Sequence, residues 1–169
     1  QEGHMESSEE RKQQRIKELF AKYVPAKDID KILSGAGGLE EAREQTVDLA
    51  LVKVEFDTLH ELNARLDPIF DIVLSRGGIV MELVGNIAVI TNWKDERLDV
   101  RSISEAIMKS DGSHVAVLHG QTRGYIGNVG TERKMSFTLV SKLLLEYFAK
   151  LNRLDYGCSA ELSDDHRGR

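Results

Sequence analysis

The stretch GGIVMELVGN, Gly77 to Asn86, reads as a stop, a strand and a turn. Gly77-Gly78 ends the segment before it, because a glycine pair removes the side chains a helix would pack and permits the backbone reversal that closes one. Ile79 to Val84 and Ile87 to Thr91 are short apolar runs flanking Gly85-Asn86, two turn-forming residues. That arrangement predicts a β-hairpin with the dipeptide at its tip. Upstream, Leu59, Leu62, Leu66, Ile69, Phe70 and Val73 recur at helical spacing, so a helix feeds the hairpin. Before that helix, Val47, Leu49 and Leu51 alternate with Asp48 and Ala50, and Val54 and Phe56 continue an extended segment. It reads as a first strand lying in the core.

Downstream, a polar loop around Asp95 to Asp99 leads to a helix over Val100 to Met108 and a strand over Val115 to Leu118. Gly120, Gly124, Gly127 and Gly130 punctuate what reads as a connector with a short strand through Tyr125-Ile126. Phe137, Val140, Leu144, Tyr147, Phe148 and Leu151 mark the strongest amphipathic helix, ending by Gly157, with a short strand possible before the charged tail. The order is β-α-β-β-α-β with later additions, the pattern of an α/β sandwich with a ferredoxin-like, split βαβ core.

Residues outside this core are read separately. Gln1 to Met5 end in Gly-His-Met, which resembles a cloning remnant and is set aside. Residues 6–38 form a lead-in in which Ile16, Leu19, Phe20 and Tyr23 make one narrow apolar face, a candidate dimerising interface. Pro25 breaks that helix, Asp28 to Leu33 supply another short helical turn, and Gly35 to Gly38 form a loop. The domain proper spans 39–162, and 163–169 is a charged tail.

Length and charge narrow the function classes. With 169 residues, 41% hydrophobic and 30% charged, the chain suits one globular domain with its own core. A formal net charge of -5 leaves no positive excess for a polyanion, so nucleic acid is not an expected partner. No apolar run approaches the length of a membrane span, and no membrane contact by this segment is expected. The single cysteine, Cys158, and the lack of a secretory leader lead to the expectation of a reducing, cytoplasmic setting.

Four segments in order resemble the catalytic domain of the class III adenylyl and guanylyl cyclases. KELFAKYVPAKDIDKIL, Lys17 to Leu33, is similar to the family's lead-in helix and its break, and EQTVDLALVKVEF, Glu44 to Phe56, to its first strand. LNARLDPIFDIVLSRGGIVMELVGNIAVI resembles the helix, Gly-Gly turn and hairpin. HVAVLHGQTRGYIGNVGTERKMSFTLVSKLLLEYFAKL, His114 to Leu151, resembles the strand, Gly-Asn-x-Gly turn and last helix. The resemblance implies the family's fold, and a chemistry in which two metal ions, held by two carboxylates, close a nucleoside triphosphate into a cyclic nucleotide.

The residues implied for that chemistry are missing. Aligned on Phe56, the first metal aspartate falls at Val52, and the second, at the hairpin tip, falls at Asn86. The base-reading positions fall at Glu82, chemically compatible with guanine, and at Lys142, an unusual substitute. The asparagine and arginine that hold the ribose and stabilise the transition state fall at Leu145 and Ala149, neither able to donate a hydrogen bond. Removing a single such donor typically raises a barrier by about 2.7–4 kcal/mol, so the set of losses should abolish useful rate. The resemblance therefore implies a degenerate domain that binds no catalytic cofactor, with Mg or Mn entering only if an unusual or heterodimeric site were active.

Blander readings accompany several of these residues. Asn86 is read first as a turn asparagine and Glu82 as a solvated or ion-paired carboxylate. His60, His114 and His119 lack partners at metal-ligand spacing, and Cys158 lacks the context of a nucleophile, so no metal site is indicated. The resulting expectation is a non-catalytic, dimerising regulatory module, a homodimer or a partner for another cyclase-like chain, in a larger signalling protein. A nucleotide sensor without turnover and an active nucleotidyl cyclase are the alternatives.

Overall fold

The computed structural model describes residues 7–20, 42–93 and 96–162. The chain divides into two compact units: residues 1–41 with 127–137, and residues 42–126 with 138–169. In the smaller unit, α1 (Ser8–Phe20) starts with a reciprocal cap, Glu10 N–H on Ser7 Oγ at 3.1 Å and Ser7 N–H on Glu10 Oε2 at 3.0 Å. Two orphan donors at the helix start are thereby satisfied.

The larger unit is built on β1 (Arg43–Val54), the central strand. It is followed by α2 (Leu59–Ser75), the hairpin strands β2 (Ile79–Val84) and β3 (Ile87–Thr91), and α3 (Val100–Asp111). Then come β4 (Val115–Thr131) and β5 (Lys134–Val140), of which residues 127–137 belong to the smaller unit, and α4 (Leu144–Arg153) and β6 (Ser159–Glu161). The sheet order is β2-β3-β1-β4-β5, with β6 parallel to β4. The first four of these positions give the order of a ferredoxin-like sheet, as the hairpin and its flanking helix implied.

Why the centre is buried follows from the two faces of β1. Ala50, Val52 and Val54 share one face with Ala88, Ile90, Val115 and Val117 on the neighbouring strands. Leu62, Leu66, Ile69 and Val73 of α2 and Val100, Ile103 and Ile107 of α3 pack onto it. The alternate residues Leu49, Leu51 and Lys53 project from the other face, where α4 contributes the buried Tyr147 and Leu151. A sheet covered on both sides explains why β1 is nearly continuously apolar. The Thr58 hydroxyl caps α2 by accepting from Glu61 N–H at 3.1 Å, and Gly77, at φ +80°, closes the helix. Gly85, at φ +60°, supplies the left-handed residue at the hairpin tip.

The C-terminal half departs from the sequence expectation. Gly120 to Ile126 is no connector: it lies within one 17-residue strand, β4, whose register with β1 runs unbroken from Val115↔Val54 to Ile126↔Arg43. The glycines remain extended because β1 supplies their backbone partners, which sequence periodicity does not reveal. The last helix starts at Leu144 rather than Phe137; Phe137 and Val140 belong to β5. Apolar residues three and four apart at a strand–helix junction mimic a single helical stripe. Phe56 lies beyond the end of β1 and is exposed.

Candidate functional site

Val52 sits between Ala88 of β3 and Val117 of β4, with 0% of its surface exposed, in the apolar layer beneath α2 and α3. It is a core residue. Asn86, at the hairpin tip, is tied to the end of β1 in both directions. Its carbonyl accepts from Val54 N–H at 3.0 Å, and its side-chain Nδ2 donates to Val54 O at 2.8 Å and to the Tyr156 hydroxyl at 3.4 Å. A carboxylate has no proton to give that carbonyl, so asparagine does here what aspartate at neutral pH does not.

Next to Val52, Lys53 projects from the opposite face and is 9% exposed. Its ammonium donates to Leu154 O at 2.7 Å and Asn152 O at 3.5 Å, and lies 4.8 Å from the centre of the Tyr156 ring. Carbonyls at the C-terminal end of α4 carry partial negative charge, which, with the ring face, compensates a cation taken out of water. Sequence reading missed this cluster because Asn152, Leu154 and Tyr156 lie about a hundred residues from Lys53.

The other candidate residues do not converge within one chain. Glu82 is exposed on β2, at one edge of the sheet, while Lys142 follows β5 at the other. Leu145, 79% exposed, and Ala149 lie on the open side of α4. Of the lead-in stripe, Ile16 is 37% exposed. Leu19 and Phe20 fall in α1, but their side chains, like Tyr23 as a whole, lie outside the described residues.

A cavity of about 1160 Å³ lies at the other end of β1, entirely within the larger unit. Asp48, 1% exposed, anchors its wall. The carboxylate accepts from Arg97 Nε and Nη2, both at 2.9 Å, from Leu98 N–H at 2.9 Å and from Gln121 Nε2 at 3.1 Å. Its own N–H donates to Asn92 Oδ1 at 2.9 Å. Four donors, two of them from one forked guanidinium, offset the desolvation of a buried carboxylate. The alternation in the sequence marked Asp48 only as a polar position; its partner Arg97 is 49 residues away. Across the wall, the Tyr147 hydroxyl donates to Thr122 Oγ1 at 3.2 Å. His119, 7% exposed, also lines the cavity, and burial lowers its pKa from the ordinary 6.5. Glu161, Glu105 and Asp99 oppose that shift, while Arg101 adds to it.

No protein-family model and no curated protein matches the sequence. Solved structures do match the fold. A bacterial light-regulated adenylyl cyclase superposes with a TM-score of 0.66 at 18% identity, covering 88% of this chain and 52% of that one. The adenylyl cyclase CyaB from P. aeruginosa gives 0.58 at 14% identity, covering 72% of this chain and 79% of its own. The catalytic core of a rhodopsin-guanylyl cyclase gives 0.56 at 11%, over 72% and 79% respectively. The chain thus spans about half the length of the light-regulated enzyme. Among the described residues, no helix is long and apolar enough to cross a membrane. With β1 central, the β2–β3 hairpin at one edge and helices on both faces, the chain has the fold of the adenylyl and guanylyl cyclase catalytic domain.

Proposed function

We propose that this domain keeps the cyclase fold without the cyclase reaction and serves as a dimerising regulatory module of a larger signalling protein. The observation that carries the reading is the pair Val52 and Asn86. The first position expected to hold a metal presents two methyl groups to the core, and the second spends its amide on the carbonyl of Val54. A divalent ion of this type needs hard oxygen ligands with negative charge, and neither position supplies one. At the positions expected to hold ribose and transferring phosphate, Leu145 and Ala149 offer only apolar surface. The exposure of Leu145, 79%, suits a face that a second protein chain covers.

The test is direct. The chain is incubated with ATP or GTP and Mn²⁺, with product separated by chromatography and oligomeric state followed in parallel by sedimentation. No cyclic nucleotide above the buffer blank, together with a concentration-dependent dimer, is the expected result. Turnover that co-purifies with the protein would overturn the non-catalytic reading. A monomer at all accessible concentrations would overturn the dimerising one.

A further inference from the structure

Gly157 to Leu162 run beside β4 without entering the core. None of them is buried, whereas Val115 to His119, along which they lie, all are. β6 is three residues long and parallel to β4, its one neighbour among the described residues. Backbone bonds hold the segment: Gly157 N–H donates to Val115 O at 2.8 Å, Val117 N–H to Cys158 O at 3.1 Å and Leu162 N–H to His119 O at 2.7 Å. A segment with so little buried apolar surface opens at a lower free energy than the domain unfolds. The residue before it is fixed. The Tyr156 hydroxyl accepts from Asn86 Nδ2 at 3.4 Å, and its ring centre lies 4.8 Å from the Lys53 ammonium. Gly157, at φ +98°, follows as a left-handed position that glycine fills without strain, so a motion that spares Tyr156 starts there.

Two side chains fasten the far end. Glu161 pairs with Arg101 of α3 at 2.9 Å, and because both side chains are largely exposed the tie is weak. Leu162 rests on Gly120, where an added Cβ would come within 2.8 Å of the leucine Cβ, so the seat exists only because that position has no side chain. Arg101, His119, Gly120, Glu161 and Leu162 all line the cavity beside Asp48, and the segment is therefore one of its walls. His119, 7% exposed, stands opposite Glu161 in register. The charged groups that face the imidazole are Glu161 from β6 and Asp99, Arg101 and Glu105 from α3, while Asp48 of β1 is engaged by Arg97. Burial, helped by Arg101, outweighs the three acids and holds the His119 pKa below the ordinary 6.5.

We propose that Gly157 to Leu162 form a strap that lifts from β4 as a unit when His119 takes up a proton, opening one wall of the cavity while the sheet stays folded. A lifted strap gives the imidazole access to water, so the open form binds the proton at the ordinary value and the closed form only at lower pH. Closure is complete above pH 6.5 and is lost as pH falls through that value toward the lower one of the closed form. The strap operates whether or not the domain turns over nucleotide or dimerises.

Hydrogen exchange of the full chain, resolved by NMR and corrected for the intrinsic effect of pH, measures the opening at about pH 7.5 and about pH 5.5, on either side of the histidine range. The amides of Val117 and Leu162 report the strap, and that of Leu51, between two paired strands, reports the sheet. On acidification the strap amides should lose protection by at least about threefold relative to Leu51, and His119→Gln should abolish that response. Gly120→Ala, which unseats Leu162, should lower strap protection at both pH values. Where circular dichroism shows either variant unfolded, His119→Asn or Leu162→Ala takes its place. Loss of protection shared equally by Leu51, or an acid response that persists without His119, would overturn the proposal. Strap amides as protected as Leu51 would do the same, since the strap would then open only with the whole domain, as would strap protection unchanged when the Leu162 seat is altered.

Discussion

Restoring the expected metal aspartate by Val52→Asp should unfold the domain before it restores any chemistry. Val52 is fully buried between two strands and two helices, so removing its side chain forfeits about 1.5–3 kcal/mol of apolar burial. The carboxylate that replaces it has only methyl and methylene groups around it in that layer. Leaving an ionised group buried without a partner costs about a further 3–5 kcal/mol. The sum, about 5–8 kcal/mol, rivals the whole stability of an ordinary domain, about 5–15 kcal/mol. Val52→Thr separates the contributions, because it keeps the shape and adds one unpaired hydroxyl at about 1–3 kcal/mol. Urea unfolding followed by fluorescence of Trp93, the only tryptophan and itself 4% exposed, reads the loss as a lower midpoint. If Val52→Asp loses less than about 1 kcal/mol, or if Mn²⁺ raises its midpoint, the side chain reaches solvent and metal, and the core placement of this position is refuted.

Two further outcomes concern the cavity wall. Asp48→Asn turns an acceptor-only group toward four donors as a neutral amide, and should cost about 3 kcal/mol in urea unfolding, given about 1.5–3 kcal/mol for each hydrogen bond to a charged group and partial rearrangement of Arg97. A change within about 0.5 kcal/mol would show that the network contributes nothing beyond packing. Burial holds the His119 pKa below 6.5, so the unfolded chain takes up the proton first as pH falls. The contribution of this residue is therefore complete above pH 6.5 and is lost as pH drops through that value toward the lower folded pKa. His119→Gln should flatten the stability profile on the acid side relative to wild type; identical profiles would remove the linkage.

The fold was legible in the sequence where local chemistry and tertiary structure agree. Gly85-Asn86 forms the hairpin tip, and the stripe from Leu62 to Val73 forms the buried face of α2. It was not legible in β4 and β5, where pairing with distant strands keeps a glycine-rich segment extended and splits an apparent helical stripe at Val140. For the site, the family resemblance pointed to Val52 and Asn86, but not to what those residues do instead. Burial against α2 and the bond to Val54 O are properties of packing. Asp48 and His119 left even less trace. A lone acid in an apolar strand becomes informative only when Arg97, Leu98 and Gln121 are found around it, and a histidine only when its burial in the cavity wall is found.

Lys53 is bound at its tip by carbonyls that belong to the end of α4, so an acylating reagent can reach the amine only when that end lifts away. The rate at which Lys53 is modified, relative to exposed lysines such as Lys109 and Lys142, is then a clock for local opening of α4. Any partner that docks over this helix and holds it down would slow that clock without touching the lysine.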